Sequence, residues 1–533
     1  MRGGRLFSSA VAALAPAVLM CVVVAMMGAS PAPAPSVSAS ITPATYAPVL
    51  PSAAVSPTAR PIPTRGLAQP TPSLSDTTTF GQIGKLERDR KTAPSAFETF
   101  LQSSDPAVVA RAAVAVGRLR KREGIAILIP VLAGQQPDSV KAAAAFALGV
   151  IASPDALSAL RNAALHDAPL VAGTAADSLG RLGGASAVET LTGLLGSRDP
   201  FVRGKAAIGL GESGFAVKPQ VTQALRASTG KLLIAAFSSE RDEEARWRMA
   251  WAIYRSYFDI NPGTLRTMLT DREELVRLYG VKAIGRLKDR TLLIPLRLLA
   301  GDPSWRVRIE VRNALDAFRD TTEVDTRPPA VPKEDLTEPT PVASSAPPGD
   351  HPQVAVVTNR GVIVVELFPD AASYHVDAFL TLVDNGFYNN TTFDRVIPDF
   401  VIQGGNPDAG KPTGTGGPGF TVPDEVNPIE QLTGMLALGL EYDDKTNTPI
   451  YDSAGSQFYI TQSPQLHLDE NFSTFGRVVK GISVVYAINR HDPNDVKTSG
   501  DLVTRMYRCE AVTPQTADVE TMLRTREVGY SPR

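Results

Sequence analysis

The run FDRVIPDFVIQGG at 393–405 sets one arginine among apolar residues, adds a proline and an aromatic, and closes on a glutamine and two glycines. A strand that only fills a core has little use for a guanidinium, an amide and an aromatic at such close spacing. Together they suit a groove that grips a peptide backbone. Arg395 supplies a permanent charge on a rigid planar fork. Gln403 can donate and accept at once, and Phe400 and Val401 offer an apolar wall. A second run, GSQFYI at 455–460, adds Gln457 and Tyr459.

Other chemistries have less to build on. Of the 2 cysteines, Cys21 lies in the apolar N-terminal segment, so removal of that segment leaves only Cys509 and no internal disulfide. The 5 histidines show no ligand-like spacing, and neither metal nor cofactor is expected. GTGGPG at 414–419 mimics a phosphate-cradling loop, but it lacks the lysine and the following helix and contains Pro418. Lys+Arg 53 against Asp+Glu 55 gives a net charge of −2, which argues against a general nucleic-acid binder.

The elements that must hold these residues begin at about 351. VAVVTNRGVIVVELF alternates through a TNRG turn and predicts a β-hairpin. AASYHVDAFLTLVDNG at 371–386 has helical spacing and a glycine stop. Short apolar strands and Gly/Pro loops continue to 512, which predicts a closed or strongly curved β architecture.

Ahead of it, a pattern returns with a period of roughly thirty residues, in the range of helical solenoids. An aspartate-led turn opens an Ala/Val/Leu-rich amphipathic helix at Asp105, Asp138, Asp167, Asp199, Asp271 and Asp302, with a divergent copy at 243–254. The aspartate suits the N-cap, the following proline the first turn, and small residues the close stacking of neighbours. Intervening runs such as GIAILIPVLAG supply the other helix of each pair. Arg203, Arg277 and Arg308 recur shortly after their aspartates and are expected to bond carbonyls or the next repeat. The pattern resembles HEAT repeats, whose curved surfaces imply a protein partner.

The remaining segments concern address and spacing. Arg2 and Arg5 precede an uncharged stretch, 6–27, and then small residues, the order of a secretory signal. The apolar run is also long enough for an uncleaved membrane anchor. Either way the chain is expected to be exported, to a periplasmic or envelope location. The expected layout is signal or anchor at 1–30, a Pro/Ala/Ser/Thr-rich spacer at 31–79 and a helical repeat domain at 80–320. A Pro-rich linker at 321–350, the β domain at 351–512 and a tail at 513–533 complete it.

Hairpin, helix, GFYNNTTFDRVIPDFVIQGG, GTGG, GSQFYI and STFGRVVKG occur in the order and approximate spacing of cyclophilins, and the last third of the chain resembles that family. The resemblance implies a closed antiparallel β-barrel capped by two helices, and peptidyl-prolyl cis-trans isomerase activity on proline-containing polypeptides. Arg395 falls on the family's catalytic arginine, with Gln403 orienting it or bonding the substrate backbone. Phe400, Val401, Tyr459, Leu468 and Phe472 fall on the proline pocket, and Gln457 beside it. Read singly, Phe400, Tyr459 and Leu468 would serve equally well as barrel core. Four departures stand out, one of them Phe472 where many members line the proline pocket with a histidine. Leu440 occupies the position of an asparagine that contacts the substrate backbone, and the loop after it, 441–454, is longer than usual. His467 stands at a common tryptophan position and is expected at the pocket edge rather than as a general base. The alternative implied by Leu440 is a catalytically weak scaffold that binds proline peptides within an envelope complex.

Overall fold

The computed structural model describes residues 78–215, 222–256, 260–345, 350–408, 416–443, 445–446, 448–469, 471–493 and 498–513. The segment read as a signal or anchor, the expected first spacer up to 77, the tail from 514, and Gly414 and Thr415 of the glycine-rich loop lie outside the described residues. No helix of the described residues is long and apolar enough to cross a membrane.

The repeats fold as two layers of helices. Pro106–Arg118, Asp138–Ile151, Pro169–Leu182, Pro200–Phe215, Glu243–Arg255, Glu274–Leu287 and Trp305–Ala317 pack side by side, each on the next, as an inner layer. These are the helices opened by the recurring turn. Small residues permit the close stacking: a Cβ on Gly117 would lie 2.6 Å from the Ala147 Cα, and Gly149 faces Ser178, and Gly180 faces Gly209, with as little room. Asp105 and Asp199 accept first-turn backbone N–H bonds as expected, and Asp242, not among the predicted caps, does so for the divergent copy. Four of the six aspartates do not. Asp138 lies inside its helix behind Pro137, and Asp167 is drawn instead into an ion pair with Lys141. Asp271 and Asp302 lie two residues ahead of their helices' caps, Glu273 and Ser304, and the backbone N–H groups they accept from are those of the caps. The recurring arginines tie each repeat to the next. Arg203 pairs with Glu240 and Arg277 with Asp302, while both also bond carbonyls of their own turn. Arg308 bonds the carbonyls of Asp302, Pro303 and Asp325.

The second half is a nine-stranded antiparallel sheet in the order β3-β9-β1-β2-β8-β6-β7-β5-β4. Its strands are β1 (Gln353–Thr358), β2 (Gly361–Leu367), β3 (Thr391–Thr392), β4 (Arg395–Ile397), β5 (Val401–Gly404), β6 (Met435–Leu438), β7 (Phe458–Thr461), β8 (Thr474–Lys480) and β9 (Leu502–Cys509). The two end strands, β3 and β4, are neighbours in sequence, so the sheet has to curl round on itself. The helices Pro369–Asp384 and Ile482–Ala487 accompany it, and Phe379, Phe393, Phe458 and Phe475 fill its interior. The predicted hairpin and helix are both in place.

The inner helical layer is not an empty surface. It packs on the chain's own barrel, and one core cluster runs from the helices through Phe368, Ile429, Leu432, Met435 and Leu466. Charged residues cross the seam. The buried Arg118 donates to the carbonyls of Ala371, Glu425 and Val426 and to Glu87. Arg248 and Lys205 both pair with Glu430. Burial alone would raise the Glu430 carboxyl, but those two cations hold it down at about 2. Arg306 donates to Thr433 and Tyr279 to the Pro464 carbonyl. The expected concave partner surface is thus occupied, at least in this layer, by the β domain.

The described part of the linker, 321–345, is mostly without regular structure apart from one short turn of helix at Lys333–Leu336, but it is not a loose spacer. Trp305, Arg308 and Arg312 take the carbonyls of Thr326, Asp325 and Thr322. Ser483 donates to Asp335, and Val342 and Glu510 exchange backbone bonds with Arg508 and Thr340 along β9. A chain too poor in apolar residues to form a core still offers carbonyls to donors on both sides.

Candidate active site

Four strands bring the predicted residues into one row. β4 pairs with β5 so that Arg395 faces Gln403, β5 pairs with β7 so that Gln403 faces Tyr459, and β7 sets Tyr459 opposite Ala437 of β6. Side chains alternate along a strand. Val401 therefore lies on the same side as Gln403, while Ile402 and Ile460 turn to the other side. The GSQFYI run contributes to the row because β7 pairs directly beside β5.

The polar part is a relay. Gln403 accepts from Arg395 Nη1 at 3.4 Å and donates through Nε2 to Gln457 Oε1 at 2.9 Å, which fixes the amide's orientation. Arg395 is 2 % exposed, yet its Nη2 has no hydrogen-bond partner among the described residues. Burial lowers the guanidinium to about 10, against weaker support from Tyr442, Asp394 and Asp492, so it stays charged at neutral pH. A buried donor without a partner is costly unless something arrives to accept from it.

The apolar part surrounds this donor. Arg395 lies over the Phe400 ring at 5.7 Å, and Phe400 stacks on His467 at 6.0 Å. Tyr459 meets Phe472 edge-on at 5.6 Å and donates to Gln431 Oε1 at 2.7 Å. Val401, Tyr459, Phe472 and Leu440 are buried, whereas Phe400, Leu468, His467 and Gln457 keep part of their surface. Leu468 accepts the Phe472 N–H, which joins the two pocket positions. Burial pushes the His467 imidazole well below its usual value, and the positive Arg255 and Lys282 add to this. The ring is thus a neutral aromatic at the pocket edge.

Three residues were not singled out by sequence reasoning. Tyr442 lies beside Arg395, brought there by the long loop, which forms a small hairpin through a Tyr442–Pro449 bridge. Arg90 clamps Asp452 and Arg120 covers the Tyr451 ring, so the helical array holds this loop. Asp399, between β4 and β5, is 1 % exposed and pairs with Lys282 of the helix Glu274–Leu287 at 2.7 Å. Inserted loops carry no periodicity, and a lysine on an amphipathic helix reads as solvent-facing, so neither signal was available.

Lys282 also faces Glu310 at 3.5 Å. Burial raises the Glu310 carboxyl from 4.5 to about 7, and Asp399 adds to this against the pull of Lys282. The folded state therefore binds a proton there more tightly than the unfolded chain. The resulting stabilisation is complete below about pH 4.5 and is lost as pH rises through about 7. Glu310→Gln lacks this dependence. Urea midpoints of wild type minus variant should decline between pH 5 and 7.5 and then level off. A constant difference would contradict the assignment.

Two parts of the chain are similar to known proteins. The family described as cyclophilin type peptidyl-prolyl cis-trans isomerase/CLD matches 353–510, and HEAT repeats match 125–211 and 159–253. A peptidyl-prolyl cis-trans isomerase of Synechococcus elongatus is 38% identical over 142 residues, covering 26% of this chain and 90% of the relative. Peptidyl-prolyl cis-trans isomerase B of Bacillus subtilis is 41% identical over 132 residues, 24% of this chain and 85% of that protein. A solved cyclophilin type isomerase of Cryptosporidium parvum aligns over 30% of this chain and 99% of its own, at 25% identity and a TM-score of 0.26. The chain belongs to the cyclophilin-type peptidyl-prolyl cis-trans isomerase family. HEAT repeats precede its cyclophilin domain.

Proposed function

We propose that this protein catalyses cis–trans isomerisation of X–Pro bonds in polypeptides, with Arg395 as the catalytic donor. The observation that carries the reading is the buried, unpartnered Arg395 Nη2 beside an aromatic and aliphatic pocket. Rotation about the X–Pro bond is slow because amide resonance opposes it, with a barrier of roughly 18–20 kcal/mol. In the twisted state the prolyl nitrogen regains its lone pair and can accept a hydrogen bond. A guanidinium aimed at that nitrogen favours the transition state over either planar ground state. Phe400, Val401, Tyr459, Leu468 and Phe472 hold the ring, His467 borders it, and Gln403 and Gln457 fix the guanidinium and meet the backbone. No bond is broken, so no nucleophile is called for.

The test is a proline-isomerisation assay on the chain from 78 to 533, with peptide binding measured in parallel. Binding without turnover would support the scaffold reading, which Leu440 at the backbone-contact position favours. Any partner protein of the HEAT array meets the outer helices, because the inner layer is covered by the barrel.

We also propose that the protein is exported to the periplasm or envelope, on the order of basic residues, uncharged stretch and small residues at its N-terminus. Mass spectrometry of the N-terminus from fractionated cells checks this. An intact Met1 confined to the cytoplasmic fraction would sink it.

A further inference from the structure

Asp399 sits at the tip of the turn from β4 to β5, immediately before Phe400. Its φ is +60°, a left-handed conformation that aspartate tolerates better than most residues but that surrounding contacts must hold. The barrel supplies those contacts to its backbone. Asp399 N–H donates to Gln462 Oε1 at 2.9 Å, and its carbonyl accepts from Ser463 at 2.6 Å and Gln465 at 3.2 Å. The carboxylate is different. Its side chain is 0% exposed and faces two groups of the helical array, the Lys282 ammonium and the Glu310 carboxyl. The cation that offsets its charge is Lys282, 2.7 Å away on the helical array, whose other carboxylate neighbour is Glu310 at 3.5 Å.

We infer that Lys282 is a positioning residue of the prolyl pocket, in which the helical array holds Phe400 in place through Asp399. A carboxylate with no accessible surface and no compensating cation has to reach water, rearrange its neighbours or take up a proton. The coupling is therefore read above neutral pH, where the first two compete best. The route to water is movement of the turn that carries Phe400. Phe400 accepts the Gln462 N–H through its carbonyl and stacks on His467. Its ring also lies under Arg395. Movement of that turn therefore opens one wall of the pocket and shifts the ring beneath the donor. The array thus completes the site instead of merely carrying it. The inference rests on the prolyl-isomerase reading for the identity of the pocket, but not for the existence of the coupling.

The experiment measures, on the full chain, both the dissociation constant of an Ala–Pro peptide and KM and kcat for isomerisation. Lys282→Met should weaken peptide binding and raise KM by about tenfold, with kcat changed by less than about twofold. Lys282→Met with Asp399→Asn removes both charges, leaves a neutral Glu310 able to donate to the new amide, and should return binding to within about threefold of wild type. Glu310→Gln keeps the Lys282–Asp399 pair and should bind as wild type does, which separates this coupling from general damage to the seam. Wild-type binding by Lys282→Met overturns the inference. So does a double variant that binds about tenfold more weakly than wild type, a result that can be read even if Lys282→Met alone proves too unstable to assay. If wild type binds peptide without turning it over, the isomerase reading fails while the binding series still decides the role of Lys282.

Discussion

Arg395→Ala is expected to lower kcat/KM for proline isomerisation by about 10²–10³-fold, the usual effect of deleting a donor aimed at charge that develops in the transition state. The loss should fall on kcat, because the proline ring is held by Phe400, Val401, Tyr459 and Phe472, which the substitution leaves in place. Peptide binding should change by only a few fold for the same reason. Arg395→Lys should rescue little, since an ammonium cannot both bond Gln403 and present a second N–H in the plane of the first. Deleting the side chain also removes an unpaired buried charge, so the variant should unfold at no lower denaturant than wild type. Isomerisation by protease-coupled or NMR exchange assay, with calorimetric peptide binding beside it, measures both parts. Equal rates for wild type and Arg395→Ala would remove Arg395 from the mechanism.

The second large effect is one of stability. Arg118→Met should cost about 3–5 kcal/mol, the range for breaking a buried charged network from one side. Its guanidinium makes four bonds, three of them to barrel carbonyls, and Glu87 would keep only part of its compensation from Arg111. Burial would raise the Glu87 carboxyl, while Arg111 and Arg118 together hold it at about 2. Losing one of them returns part of the burial cost. Urea unfolding should start at lower denaturant and separate into two transitions, one for the helices and one for the barrel. A single transition at the wild-type midpoint would show that the seam contributes little.

The sequence was informative where one periodicity or one dense motif dominates. The helices opened by Asp105 through Asp302 were visible because small and aliphatic residues must return at each stacking contact. The row of Arg395, Gln403 and Tyr459 was visible because their spacing within two short runs resembles a family pattern. The seam was not visible. Amphipathic spacing reports that one face of a helix is buried, but not what buries it, and Arg118, Lys205, Arg248, Lys282 and Arg306 look like ordinary solvated charges. Composition likewise showed that 321–345 lacks a core of its own. It could not show that Trp305, Arg312 and Ser483 would claim its polar groups. Tyr442 belongs to an insertion, where no pattern predicts which residue reaches the site.

The order of synthesis gives the covered inner layer one more consequence. The helices leave the ribosome well before 351–512, so Phe146, Val150 and the buried ends of Arg118 and Arg306 meet water first and the barrel later. During that interval the nascent array displays an apolar surface whose natural lid has not yet been made. The cyclophilin domain, made last, is what covers that surface. Only once it has docked does Glu430 reach Lys205 and Arg248, is the long site loop clamped and is the pocket wall held by Lys282.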